Sequence, residues 1–223
     1  MRTPVESENE QQTVVSSTEK RTLWKAGLFF VFVLLLTEVN EPVRSSLKAL
    51  VFPDIPLWLD HIFFLLTFKL VVLGLMACRL LSREEIRLRA PAKKEYWLVG
   101  FLSGIPLFFL ALLALNISGE HLRWTWQPDT LDIFANLFSN FYEELLYRGI
   151  ILAFLTKYLG SHNQAAMVSA LLFCHGHLRY PVPMLFMTFA VSVFWAWLSH
   201  RSKSLLPAYC SHVVVDTLAA FLK

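Results

Sequence analysis

Charged side chains are scarce in this sequence: Asp, Glu, Lys and Arg make up 17% of its 223 residues, while 56% are hydrophobic. Soluble domains carry about 25% charge and about 45–50% apolar residues, so the balance leans to a membrane protein. Cysteine is also sparse. Cys78, Cys174 and Cys210 each lie in an apolar stretch and none forms a CxxC, which predicts buried free thiols and gives no redox address. There is no HExxH, so the sequence does not favour a metal; zinc is the metal its His and Glu residues would suit. No internal repeat and no low-complexity tract stands out, and no matched pair of Gly- or Pro-broken helices suggests a transporter. A cleavable leader is not expected either. Residues 1–22 are too long and too acidic for its basic start, and Glu38-Val39-Asn40 is a poor cleavage site.

What is present is apolar sequence in runs. Seven segments stand out, at 23–37, 57–81, 96–115, 131–155, 164–178, 183–198 and 205–222. A span needs about 20 residues, and 57–81, 96–115, 131–155 and 205–222 meet that requirement most clearly. Residues 1–22, rich in Glu, Gln, Ser and Thr, read as a disordered tail, and 23–223 as a membrane domain. Placing the basic 79–94 loop in the cytoplasm puts thirteen of the 20 Lys and Arg residues on that side and five on the other. This bias predicts seven spans with the N-terminus cytoplasmic, in a prokaryotic cell membrane, and the basic loop needs no nucleic acid to explain it. Trp58, Trp97, Trp124 and Trp126 sit near predicted span ends as interface anchors. Lys69, inside the second run, reads as a paired or snorkelling residue, Asp60 and His61 as wet, and His162 and His200 as solvated loop residues.

The stretch Asn136 to Arg148, NLFSNFYEELLYR, breaks the apolar pattern. Charges at bilayer depth cost several kcal/mol each, so a surviving cluster is a functional-site hypothesis by default. Glu144 and Arg148 are four residues apart and can pair on a helix, whereas Glu143 points about 100° away without such a partner. Asn136, Asn140, Glu143 or Glu144, and Tyr147 recur at steps of three or four, a polar stripe that should face other helices or a water-filled cavity.

Histidines follow in the later segments. Phe173 and His177 share helical spacing in SALLFCHGHLRY, with His175 as a competitor, and His212 and Asp216 share it in YCSHVVVDTL. With a rise of about 1.5 Å per residue, Glu143 lies roughly 18 Å below the outer face, and His177, His212 and Asp216 roughly 20, 10 and 16 Å above the inner one. All four can therefore meet near mid-membrane. A carboxylate in a poor dielectric becomes a better general base, one histidine can share the water proton, and a second can donate to the oxyanion of a cleaved amide.

The EExxxR of Glu143, Glu144 and Arg148, the FxxxH of Phe173 and His177, and the HxxxD of His212 and Asp216 resemble the three ordered motifs of the CPBP family of intramembrane proteases, also called Abi proteins. The resemblance covers about residues 131–223. It implies an all-α polytopic fold and a glutamate protease without a metal cofactor, acting on a membrane-associated protein or peptide. Under it Glu143 activates water with His177, Arg148 holds Glu144, and His212 with Asp216 forms the oxyanion pocket. Many relatives carry Asn where this chain has Asp216, so here the residue either is protonated or orients His212 without touching the oxyanion. Two other readings stand beside the protease: a non-catalytic scaffold or immunity protein that keeps the fold, and a transporter relaying protons through Lys69, Glu143 and Asp216.

Overall fold

The computed structural model describes residues 46, 49–50, 86–120, 122–128 and 130–222, all within the compact unit Arg44–Lys223. The predicted segments 23–37 and 57–81, with Trp58, Asp60, His61, Lys69 and Cys78, lie outside the described residues. The regular structure of the described residues is helical, joined by turns and loops, apart from one isolated antiparallel bridge between Trp124 and Leu222. In chain order they form α1 (Glu95–Ile117), α2 (Thr130–Glu144), a π-helical stretch (Leu145–Ile151), α3 (Leu152–Leu159), α4 (His162–His175), α5 (Val182–Ser202) and α6 (Leu206–Ala219).

α1 shows why this chain needs an apolar surrounding. It buries Gly100, Gly104, Phe108, Ala111 and Ala114, and it exposes Leu98, Phe101, Leu102, Ile105, Phe109 and Leu113. Small residues thus face inward and large apolar ones outward, the arrangement that suits close helix contact inside lipid. Gly100 and Gly104 bring α1 against α6. A Cβ on Gly100 would lie 2.5 Å from the Pro207 carbonyl oxygen, and one on Gly104 2.5 Å from Val214 Cβ. Among the described residues α1 and α5 are the two helices long and apolar enough to cross a membrane.

The segment predicted as one span over 131–155 is helical from Thr130 to Leu159, but not uniformly so. Leu145–Ile151 winds wider, and the Tyr147 carbonyl accepts from both the Leu152 amide and, at 2.9 Å, the Ser169 hydroxyl. A hydroxyl from α4 thus binds a carbonyl of the widened turn, and π turns of this kind are frequent at functional sites. Two further segments are shorter than predicted. α4 stops at His175, followed by Gly176, and α6 ends at Ala219, leaving each 14 residues long.

The helix ends gather at two poles. At one, the loop before α1 is fastened to the turn between α5 and α6: Ala92 N–H donates to Ser202 O at 3.1 Å, Leu205 N–H to Arg87 O at 3.2 Å, and Arg89 Nε–H to Lys203 O at 3.2 Å. At the other, Thr125 N–H donates to Phe221 O at 2.7 Å and the Trp124 ring stacks on Phe221 at 5.1 Å, while Trp126 stays 84% exposed. Between the poles Leu152, Ala165, Ala166 and Ala196 pack as the fully apolar core of α3, α4 and α5.

Candidate active site

Glu144 ends α2 and Arg148 sits in the π turn, and both side chains are completely buried. Arg148 Nη1 lies 3.1 Å from Glu144 Oε1, the pairing that their spacing predicts. Three more groups enclose the guanidinium: Nη2–H donates to Ser192 Oγ at 3.0 Å, and the rings of Phe173 and Trp195 lie 4.4 and 5.1 Å from its carbon. Cations over aromatic faces are stabilised by the ring quadrupole, more so when water is excluded. The Phe173 of the FxxxH motif therefore serves as a wall beneath Arg148 as well as a neighbour of His177.

Glu144 has a second partner that spacing could not reveal. His212 Nδ1 approaches the same Oε1 at 3.0 Å, across 68 residues of sequence. The other face of that imidazole meets two more carboxylates, Asp216 Oδ2 at 3.6 Å and Glu143 Oε2 at 3.9 Å from Nε2. His212 is thus the meeting point of all three acids. Glu143 and Asp216 remain partly open, at 24% and 32% exposure, where Glu144 has none. The two adjacent glutamates are separated in role by their helix: one is enclosed between Arg148 and His212, the other is free to face water.

His177 arrives differently from the sequence expectation. It lies beyond the end of α4, in the turn before Pro181, because the helix ends at His175–Gly176. Its link to Phe173 survives as a contact of Nδ1 with the Phe173 carbonyl at 2.8 Å. A carbonyl only accepts, so Nδ1 carries the proton and Nε2 is left as the basic nitrogen. His177 joins His212 and Asp216 on the wall of an open cavity between α1, α5 and α6, whose remaining lining, apart from Thr188, is apolar or aromatic, with Leu107, Ala111, Val191 and Tyr180 among it. His177 and Glu143 are not hydrogen-bonded to each other; Glu143 meets this group through His212.

Several residues of the site carry no motif. Trp195 stacks on His212 with ring centres 4.2 Å apart at 27°, and its Nε1–H donates to Ser211 Oγ at 2.9 Å. Thr188, Ser192, Ser199 and Ser202 are buried on one side of α5 together with Trp195. Their steps of four, three, four and three form a polar stripe that was legible in the sequence. Asn140, from the stripe of α2, is buried, and its Nδ2 has no partner among the described residues.

Cys174 and Cys210 are free thiols, as expected, but only Cys210 is buried and Cys174 is partly exposed. His200 is exposed, as expected, whereas His162, also expected to be solvated, is half-buried: it stacks on His200 at 3.8 Å, and both its ring nitrogens are buried without a partner among the described residues. The stacking sets the start of α4 against the end of α5, which no local pattern foretells. No group of three or more His, Cys, Asp or Glu side chains arranged to hold a metal ion occurs among the described residues.

The segment that contains this constellation, residues 125–218, matches the model of the family described as type II CAAX prenyl endopeptidase Rce1-like. No curated protein and no solved structure matches the chain. That family is embedded in membranes, in keeping with the two long apolar helices α1 and α5, and its activity is that of CAAX-type intramembrane proteases. The match takes in the paired glutamates, the arginine and both histidines, so that residues 125–218 of this chain are similar to the Rce1-like family of type II CAAX prenyl endopeptidases.

Proposed function

We propose that the protein is an intramembrane endopeptidase that cleaves a peptide bond in a membrane-associated protein or peptide, using water activated by Glu143 and His177. The arrangement of His212 is the observation that carries this reading. Its Nδ1 is held by a buried carboxylate, itself neutralised by Arg148, and its Nε2 stands beside Asp216 at the cavity wall. Carboxylates at both nitrogens favour the doubly protonated ring, which offers an N–H to an oxyanion.

The steps follow from the residues. Glu143, with Nε2 of His177 as a second acceptor, takes a proton from water as the oxygen attacks the substrate carbonyl. The carbonyl electrons move onto oxygen, where the Nε2–H of His212 stabilises the charge. When the carbon–nitrogen bond breaks, the proton taken from water passes to the leaving amine. The products are a carboxylic acid and an amine, and the site returns to its starting state. Asp216 at 3.6 Å from His212 Nε2 supports the orienting role over direct contact with the oxyanion, since an ionised carboxylate there would repel it. No step requires a metal cofactor. Prenylated CAAX tails, leader or precursor peptides, and C-terminal sorting tails are the candidate substrates.

Purified protein in detergent, given such a membrane-anchored substrate, should cleave it with and without a strong chelator, and Glu143→Gln should abolish cleavage while melting like wild type. Chelator-sensitive cleavage would transfer the chemistry to a metal. Equal cleavage by wild type and variant would remove Glu143 from the mechanism, and a functional phenotype untouched by Glu143→Gln would favour the scaffold or immunity reading.

A further inference from the structure

The ring of His212 has two well-defined edges, but edge contacts alone leave its plane free to tilt about the Nδ1–Glu144 axis. Something must fix the face. On α5, Trp195 is 3% exposed and lies almost parallel to the imidazole, with centres 4.2 Å apart at 27°. The indole is itself anchored: Nε1–H donates to Ser211 Oγ at 2.9 Å, and Ser211 Oγ lies 3.1 Å from Ser103 Oγ on α1, which is 3.0 Å from the Gly100 carbonyl. With Ser211 donating to Ser103 and Ser103 to Gly100, every hydroxyl in this relay both gives and accepts one hydrogen bond. Ser211 immediately precedes His212, so the indole is tied to the same turn of α6 that carries the histidine. The close approach of α1 to α6 at Gly100 and Gly104 brings Ser103 within reach of it.

We propose that Trp195 is a positioning residue: its indole, anchored by Ser211 and Ser103, holds the His212 ring in the plane that presents Nδ1 to Glu144 and Nε2 to the cavity. The inference rests on the protease reading for its kinetic consequence but not for the geometry. Trp195 also faces the Arg148 guanidinium at 5.1 Å. One aromatic surface therefore borders both cations that bear on Glu144. A face-on aromatic neighbour favours an imidazole, charged or neutral, in a way that an aliphatic side chain of similar volume does not. Misplacement of a reacting group by about 1 Å costs on the order of 10²-fold in rate, which sets the scale of the effect.

The test uses the full chain in detergent, labelled with ¹⁵N-histidine, as wild type, Trp195→Phe, Trp195→Leu and Ser211→Ala, with His212→Gln identifying the resonance. The wild type should show a protected Nδ1 proton on His212, bonded to Glu144. Trp195→Phe should retain it, Ser211→Ala should broaden it, and Trp195→Leu should lose it. In cleavage assays Trp195→Leu should lower kcat by about 10²-fold with little change in KM, and Trp195→Phe should recover most of that loss. A protected Nδ1 signal unchanged in Trp195→Leu would overturn the proposal, as would Trp195→Phe proving as damaged as Trp195→Leu. If Trp195→Leu does not fold, the resonance in Ser211→Ala decides: broadening sustains the proposal and an unaltered signal overturns it. A wild type that cleaves nothing, yet whose His212 signal responds as described, would sink the protease reading and leave the positioning role standing.

Discussion

Arg148 and His212 meet carboxylates at the centre of the helices, whereas the arginine and two histidines at one pole, Arg87, His162 and His200, meet none among the described residues. In the centre Glu144 touches both cationic groups, at 3.1 and 3.0 Å, and Asp216 and Glu143 flank the far side of the imidazole. At the pole Arg87 Nη2 donates to His200 Nδ1 at 3.2 Å, and His162 is stacked on His200. A guanidinium can only donate, so that contact requires an unprotonated Nδ1 and a neutral His200. Burial, His200 and Arg87 together pull the His162 imidazole down to about 4, and burial lowers the Arg87 guanidinium. The same residue types are thus held by carboxylates in one place and by one another in the other.

The comparison can be broken most severely at Arg148. Arg148→Ala leaves the buried Glu144 with His212 as its remaining charged partner, and breaking a buried pair in this way costs about 3–5 kcal/mol. Membrane-extracted protein should fall sharply in amount and in melting temperature. Replacing both members, as Glu144→Leu with Arg148→Met, should restore much of the abundance while activity stays absent, since buried pairs often exchange for apolar residues at little net cost. Ser192→Ala sharpens the same point on a smaller scale. Loss of a hydrogen bond to a charged group costs about 1.5–3 kcal/mol, read as a lower melting temperature with kcat reduced less than in Glu143→Gln.

Gly104→Ala probes the contact that brings α1 to the site. The new methyl must displace Val214 Cβ at 2.5 Å or the Ser211 carbonyl oxygen at 2.8 Å. Overpacking of this kind costs about 1–3 kcal/mol, and the same melting assay would detect it. The smallest effect belongs to the pole. A histidine whose folded value lies below its ordinary 6.5 binds fewer protons folded than unfolded, so its stabilisation is intact above about 6.5 and is lost as pH falls toward 4. Burial, His200 and Arg87 all oppose its protonation. Hydrogen exchange at the Ala92 and Leu205 amides should therefore quicken between pH 7 and pH 5, and His162→Phe should flatten that response.

Local spacing revealed local chemistry. Glu144 with Arg148 and His212 with Asp216 were both readable because four residues return a helix to the same face. The bond from Glu144 to His212 was not readable, because it joins α2 to α6 and depends on how the helices pack. His177 shows the limit of the spacing argument itself: four residues after Phe173 it still meets that residue's carbonyl, but beyond the end of the helix. Some signals were present and unread. Gly100 and Gly104 at a separation of four foretell close helix contact, and the buried Thr and Ser stripe of α5 marks the face that carries Trp195. The stacking of His162 on His200 had no such signal, since each lies beside a different chain turn.

The widened turn at Leu145–Ile151 acts as a register counter. A π turn accommodates what amounts to one extra residue in an α-helix, and each residue there turns the chain by about 100°. Upstream of it the helix aims Glu143 and Glu144 at His212; downstream it aims Leu152 into the core with Ala165, Ala166 and Ala196. Removal of a single residue between 145 and 151 would relax the turn to ordinary winding and rotate one of those faces away from its partners. The length of the chain across the π turn is thus as much a part of the site as the side chains it carries.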